Sequence, residues 1–203
     1  MGGRLGGYAI GILPSVHLNA GGGSFRETGI GDTILGPVLA WGDGAIRTAL
    51  ALDISFPTGS FNKNSALNLG ANYYSFRPIL AVTYFPTANV EASAKITYTF
   101  NTVNHDTDYR SGQIFHFDYS LSYAITSSFR LGVNGYYIKQ TTDDRQAGLS
   151  VAPDGFRGQA FAIGPAVHYQ WQKVGLELRV LKEYGVRNRP ASQQLWAKAV
   201  IPL

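Results

Sequence analysis

Residues Val90–Asn101 read V-E-A-S-A-K-I-T-Y-T-F-N, and the alternation in that stretch decides which fold the chain can adopt. Val90, Ala92, Ala94, Ile96, Tyr98 and Phe100 take one parity, while Glu91, Ser93, Lys95, Thr97, Thr99 and Asn101 take the other. Successive side chains of a strand point to opposite faces, so the stretch predicts a strand with one apolar and one polar, charged face. A tilted membrane-crossing strand needs about 9–11 residues, whereas soluble strands are mostly about 5–6. This stretch has the longer length.

The neighbours repeat it. Before it, the turn Pro86-Thr87-Ala88-Asn89 follows a strand in which Tyr74, Phe76, Pro78, Leu80, Val82 and Tyr84 oppose Ser75, Arg77, Ala81 and Thr83. Upstream of a long polar loop over 58–72, Ile46, Thr48, Leu50, Leu52, Ile54 and Phe56 oppose Arg47, Asp53 and Ser55. That strand pairs, through the tight turn Gly42-Asp43-Gly44, with one spanning 32–41. The first strand runs from Tyr8 through Ile10, Ile12, Pro14, Val16 and Leu18 on one parity, ending at a Gly-rich polar loop over 20–30.

After the opening stretch comes a polar loop over 102–111, then Phe115, Phe117, Tyr119, Leu121, Tyr123 and Ile125 opposite His116, Asp118, Ser120 and Ser122. A short turn leads to Phe129, Leu131, Val133, Gly135 and Tyr137 opposite Arg130, Gly132 and Asn134. The longest loop, 141–158, precedes Phe161, Ile163, Pro165, Val167, Tyr169 and Trp171 opposite Ala160, Gly164, His168 and Gln170. Val174, Leu176, Leu178 and Val180 then oppose Glu177, Arg179 and Glu183, and a loop at 187–190 precedes a last strand from Leu195 to Leu203 that carries Trp196 and Lys198 on its other parity.

Ten strands joined by alternating long and short connections predict a single all-β domain over 1–203, an antiparallel up-and-down transmembrane β-barrel. Aromatics near strand ends, Trp41, Phe56, Tyr74, Tyr84, Phe85, Phe129, Tyr137, Phe161, Trp171 and Tyr184, are expected to form two interfacial girdles. A soluble barrel or sandwich with the apolar parity turned inward is the competing reading. Against it stand the strand lengths, the unbroken loop asymmetry and the charges recurring at mid-strand on one face.

Composition fits the membrane reading. Charged residues make up only 15% of the chain while aromatics reach 13%, so water alone is a poor partner for the whole surface. No apolar run is long enough for a membrane helix, which leaves strands. Cysteine is absent, removing disulfides and thiolate metal sites. The net charge of +4 is spread along the chain, so nucleic acid is not an expected partner.

With the apolar parity toward lipid, the lumen is expected to collect Arg47, Asp53, Arg77, Glu91, Lys95 and His116, together with Asp118, Arg130, His168, Glu177, Arg179 and Lys198. Hairpin spacing puts Asp53 near Arg77 and His168 near Glu177. These groups either rigidify a narrow barrel as a cross-strand network or line a substrate path. Pro14, Pro37, Pro78 and Pro165 fall mid-strand, where a missing N–H implies a bulge or a break in the ladder and motivates a lateral exit for an apolar solute. Asp143, Asp144 and Asp154 match no calcium-loop spacing. No nucleophile elbow, HExxH or P-loop occurs, so neither an enzyme nor a cofactor is expected.

Several segments carry a resemblance: G-D-T-I-L-G-P from Gly31, N-Y-Y-S-F-R-P from Asn72, N-H-D-T-D-Y-R-S-G from Asn104, Y-Y-I-K-Q-T-T-D-D from Tyr136, P-D-G-F-R-G-Q-A-F-A-I-G-P from Pro153 and V-R-N-R-P from Val186. Jointly they resemble the outer-membrane family named after the meta-pathway of phenol degradation, including its sphingosine-induced type. The resemblance implies a barrel in a Gram-negative outer membrane, with lipid and a small hydrophobic or aromatic solute as partners, and passive uptake of such compounds. A plugged, non-conducting structural or surface-binding barrel is the alternative, and a soluble ligand carrier a third reading. Family members carry a signal peptide and a further stretch before the position of Tyr8, so the resemblance also implies a chain lacking both, closing with ten strands where relatives use twelve. It ends in Leu203 where outer-membrane barrels commonly end in an aromatic.

Overall fold

The computed structural model describes residues 2–20 and 23–201. Its strands are β1 (Arg4–Ile10), β2 (Ser15–Ala20), β3 (Gly23–Thr28), β4 (Thr33–Trp41) and β5 (Ile46–Phe56), followed by β6 (Ser75–Tyr84), β7 (Val90–Asn101), β8 (Tyr109–Arg110), β9 (Ile114–Ala124) and β10 (Phe129–Gln140). Then come β11 (Arg145–Gln146), β12 (Leu149–Ser150), β13 (Gln159–Trp171), β14 (Val174–Arg187) and β15 (Gln193–Val200). Ten of them form one antiparallel sheet in the order β1-β4-β5-β6-β7-β9-β10-β13-β14-β15. Among the described residues no ladder joins β1 to β15. The wall nevertheless curls round an interior, because one cavity is lined from Thr83 on β6 through to Lys198 on β15.

The apolar parity faces outward. Leu50, Leu80, Ile96, Val133, Leu178 and Val180 are all exposed, Ile96 by 40% and Leu178 by 49%. The buried apolar residues among those described are only Ile34, Ala160, Ala162, Ala166 and Leu181, too few and too small for a soluble core. An exposed apolar band running strand after strand is far larger than a water-facing monomer carries, and lipid is the solvent that suits it. Tyr74, Tyr84, Trp171 and Tyr184 stand exposed at strand ends, and the Tyr74 ring meets Phe56 edge-on at 5.7 Å.

Three local departures from the sequence reading have identifiable causes. The predicted first strand is two, because the chain leaves β1 at Ile10 and re-forms a strand only at Ser15, so Pro14 lies between strands and not within one. The segment over 20–30, expected as a loop, largely belongs to the hairpin of β2 and β3; residues 21–22 in it lie outside those described. Tyr8, expected on the lipid parity, turns inward: its ring lies over Gly36, where a Cβ would sit 2.4 Å from it, and its hydroxyl donates to Asp53. The last strand ends at Val200, and Leu203 lies outside the described residues.

The other three prolines interrupt the ladder without a bulge. The β4–β5 pairing passes from Leu35↔Ile54 to Val38↔Ala51, skipping Gly36 and Pro37. The β6–β7 pairing skips Arg77 and Pro78, and the β13–β14 pairing skips Gly164 and Pro165. Register is the same on both sides of each gap. Each proline keeps its partner on the opposite edge, as with Leu52↔Pro78, so the missing N–H removes pairing toward one neighbour alone.

Candidate functional site: the lumen and its outer crown

The polar parity supplies an ionic lining. Asp53 and Arg77 are register partners on β5 and β6, with Arg77 Nη2 3.6 Å from Asp53 Oδ2. Lys95 of β7 meets Asp118 of β9 at 3.0 Å, and His116 Nε2 stands 3.5 Å from the same carboxylate. Arg130 on β10 reaches across β9 to Glu91 at 3.7 Å and donates Nε–H to Ser122 Oγ at 3.1 Å. On the far wall Glu177 stands 3.6 Å from both His168 Nδ1 and Arg179 Nε. Lys198 is the register partner of Glu177 yet forms no ion pair among the described residues, while Arg47 lies over the Phe85 ring at 4.9 Å, away from these groups.

These side chains surround open space. One cavity of about 400 Å³ is bounded by Thr83, Glu91, Lys95, Asp118, Asn134, His168, Glu177, Arg179 and Lys198. A second, of about 370 Å³, lies toward the short turns, reaching Ser127, Ser128 and Arg130, and shares His168, Glu177 and Lys198 with the first. The two adjoin at these three side chains, in the lower and middle barrel. Around the lumen Arg77, Lys95, Arg130, Arg179 and Lys198 face four carboxylates, and of these, four Lys and Arg groups and three carboxylates line the two cavities. Buried Arg77 Nε and Arg179 Nε have no protein hydrogen-bond partner, so the lining keeps donor capacity in reserve.

Toward the long loops the interior fills. Ala162 is fully buried and Leu181 nearly so. Tyr136 on β10 donates to Glu183 on β14, Gln194 on β15 donates to the Tyr136 hydroxyl at 2.7 Å, and Arg189 reaches the Glu183 carboxylate at 3.1 Å. Spacing did not single out this cluster, because its members lie two strands apart and meet only once the sheet curves.

Above it the loops form a crown stitched by carboxylates and amides. Asp32 accepts the Gly59 and Ala71 N–H groups, both at 2.9 Å, and so anchors the loop over 57–74. Asn72 donates to Asn104 at 3.1 Å and to Asp106 at 2.9 Å, tying that loop to the next. Buried Asp144 accepts the Gly112 N–H at 2.7 Å, the Gln140 amide at 2.7 Å and the Tyr109 hydroxyl. The short strands β8, β11 and β12 form a three-stranded sheet over that junction. Asp143 accepts from Ser150 and Arg157, and Asp154 from Asn188. The loop acids therefore hold loops together.

Electrostatics follows this wiring. Burial pushes the Tyr73 phenol up, and burial followed by the bond to Asp144 pushes Tyr109 up further. The Ser150 and Arg157 hydrogen bonds hold the Asp143 carboxyl below its usual range. On the exposed β2–β3 hairpin His17 Nε2 stands 2.7 Å from Ser24 Oγ, a serine–histidine contact that sequence spacing did not signal. No carboxylate completes it among the described residues.

An apolar outer wall, an enclosed ionic interior and a long-loop crown define the chain as a transmembrane β-barrel. A family model described as "Putative MetA-pathway of phenol degradation" matches residues 1–199, and the chain belongs to that family. The fold is similar to that of an outer membrane channel from Pseudomonas putida F1, known from its crystal structure, with a TM-score of 0.79 over 97% of this chain and 78% of that one at 14% identity. No curated protein matches the chain significantly.

Proposed function

We propose that the chain is a passive channel of the Gram-negative outer membrane for small hydrophobic or aromatic compounds, with those bearing a carboxylate or phenolate favoured. The observation that carries this reading is the pair of adjoining cavities sharing His168, Glu177 and Lys198, which gives the lumen open polar space with basic groups in excess. An aromatic acid would set its carboxylate against Lys198 or Arg179 while its ring lay along the barrel wall. The fold likeness to an outer membrane channel and the membership of a phenol-degradation family support the same reading. Nothing in it calls for catalysis or a cofactor.

The filled upper interior around Leu181, Glu183 and Tyr136 favours a second reading, a plugged barrel that binds at its surface without conducting. Liposome swelling separates the two. Vesicles holding the barrel should swell faster in benzoate than in a sugar of similar size, and absence of flux for every solute would leave the plugged barrel standing.

A further inference from the structure

We propose that the crown carries a binding site for the phosphate of an outer-leaflet lipid headgroup, built from Arg110, Arg145 and Arg157. Three guanidinium groups and one carboxylate, Asp143, line a single cavity of about 420 Å³ together with Gln113 and Thr141. Arg110 on β8 and Arg145 on β11 are direct register partners in the small loop sheet. Like charges placed directly opposite one another destabilise a strand pair, so this arrangement is costly until an anion sits between them. Arg110 spends its Nε on the Asn101 carbonyl at 3.2 Å, and Asp143 engages Arg157. Arg145 is exposed, and the described residues supply its side chain with neither an ion pair nor a hydrogen bond.

Position identifies the anion. The cavity residues Gln113 and Thr141 are both bonded by the Tyr98 hydroxyl, at 2.8 Å each. Tyr98 belongs to the outward parity and packs against Phe100 at 5.0 Å, so the cavity rests on the aromatic girdle at the outer rim of the wall. Asn101, on the inward parity of β7, and Asp144 are both buried and bond to Gly112, a residue that also lines the cavity. What lies beside the rim at this height is the headgroup layer, and paired guanidinium forks suit phosphate oxygens. This assignment needs the outer-membrane location but not conduction.

Native mass spectrometry of the detergent-solubilised barrel with bisphosphorylated lipid A, dephosphorylated lipid A or inorganic phosphate tests it. Phosphorylated lipid A should bind, and Arg110→Gln with Arg145→Gln should weaken that binding about tenfold. Arg26→Gln on the β2–β3 hairpin should leave it unchanged, and dephosphorylated lipid A should bind no better than the phosphorylated form binds the double variant. Heat-dependent gel mobility reports folding, and if the double variant does not fold, Arg145→Gln alone should still lower binding about threefold. Equal binding of the two lipids, or indifference to the arginine changes, overturns the proposal. Complete displacement of lipid by equimolar inorganic phosphate also overturns it, marking a free-anion site instead.

Discussion

The middle of the lumen and the inner joints of the crown, at Asp32 and Asp144, treat their carboxylates in opposite ways, whereas outer crown acids such as Asp143 and Asp154 keep an arginine partner. In the lumen each carboxylate faces a cation at 3.0–3.7 Å, and neighbouring donors such as Arg77 Nε and Arg179 Nε are left without protein hydrogen-bond partners. In the crown Asp32 and Asp144 are satisfied by backbone amides and neutral side chains from other loops. An ionic pair beside open space retains charge that a solute can meet. A carboxylate saturated by fixed N–H and O–H groups has nothing left to offer and serves as a joint. The difference suits the crown joints to rigidity and, on the proposed function, leaves the handling of solutes to the lumen.

The comparison breaks first at Asp144. Asp144→Ala strands the Gly112 amide and the Tyr109 hydroxyl and removes one of the two bonds of the Gln140 amide, and the expected loss is about 3 kcal/mol of crown stability. Trypsin should then cut after Arg110 and Arg145 much faster than in the parent, while heat-dependent gel mobility still shows a folded wall. An unchanged digestion rate would mean the loops are held by something else. A smaller effect is expected in the lumen. Exchanging Lys95 and Lys198 for Gln leaves three arginines facing four carboxylates, so the reversal potential in a salt gradient should move from anion toward cation preference by about threefold, with little change in stability. Stability lost in that variant without a change in selectivity would make these pairs structural.

The smallest effects concern pH. Because Tyr109 is pushed up from the ordinary phenol value of 10.0, its contribution is whole below that pH and is lost as the pH rises through its higher folded value. Ultraviolet titration of phenolate should show a late-ionising tyrosine that Tyr109→Phe removes. Asp143 runs the other way: it lies below 3.8, so its bonds to Ser150 and Arg157 contribute above that pH and fade as the pH falls through the folded value. Being partly exposed, it should shift loop proteolysis only slightly.

What the sequence determined by itself was everything governed by nearest neighbours along and across the wall. Alternation placed Ile96, Leu178 and Val180 outside and Lys95, Glu177 and Arg179 inside, and a single hairpin connection, long between β5 and β6 and short between β13 and β14, was enough to pair Asp53 with Arg77 and His168 with Glu177. Alternation misplaced Tyr8, because the strand it was assigned to breaks after Ile10 and the space over Gly36 draws the ring inward. Contacts that skip a strand were illegible: Glu91 with Arg130 across β9, Tyr8 with Asp53 across β4, and Tyr136 with Glu183 across β13. So were the stitches between loops, such as Asp144 to Gly112 and Asp32 to Ala71. Only the tertiary structure decided these, because parity states which face a side chain takes, whereas curvature of the sheet and the path of each loop set how far apart two groups on that face finally stand.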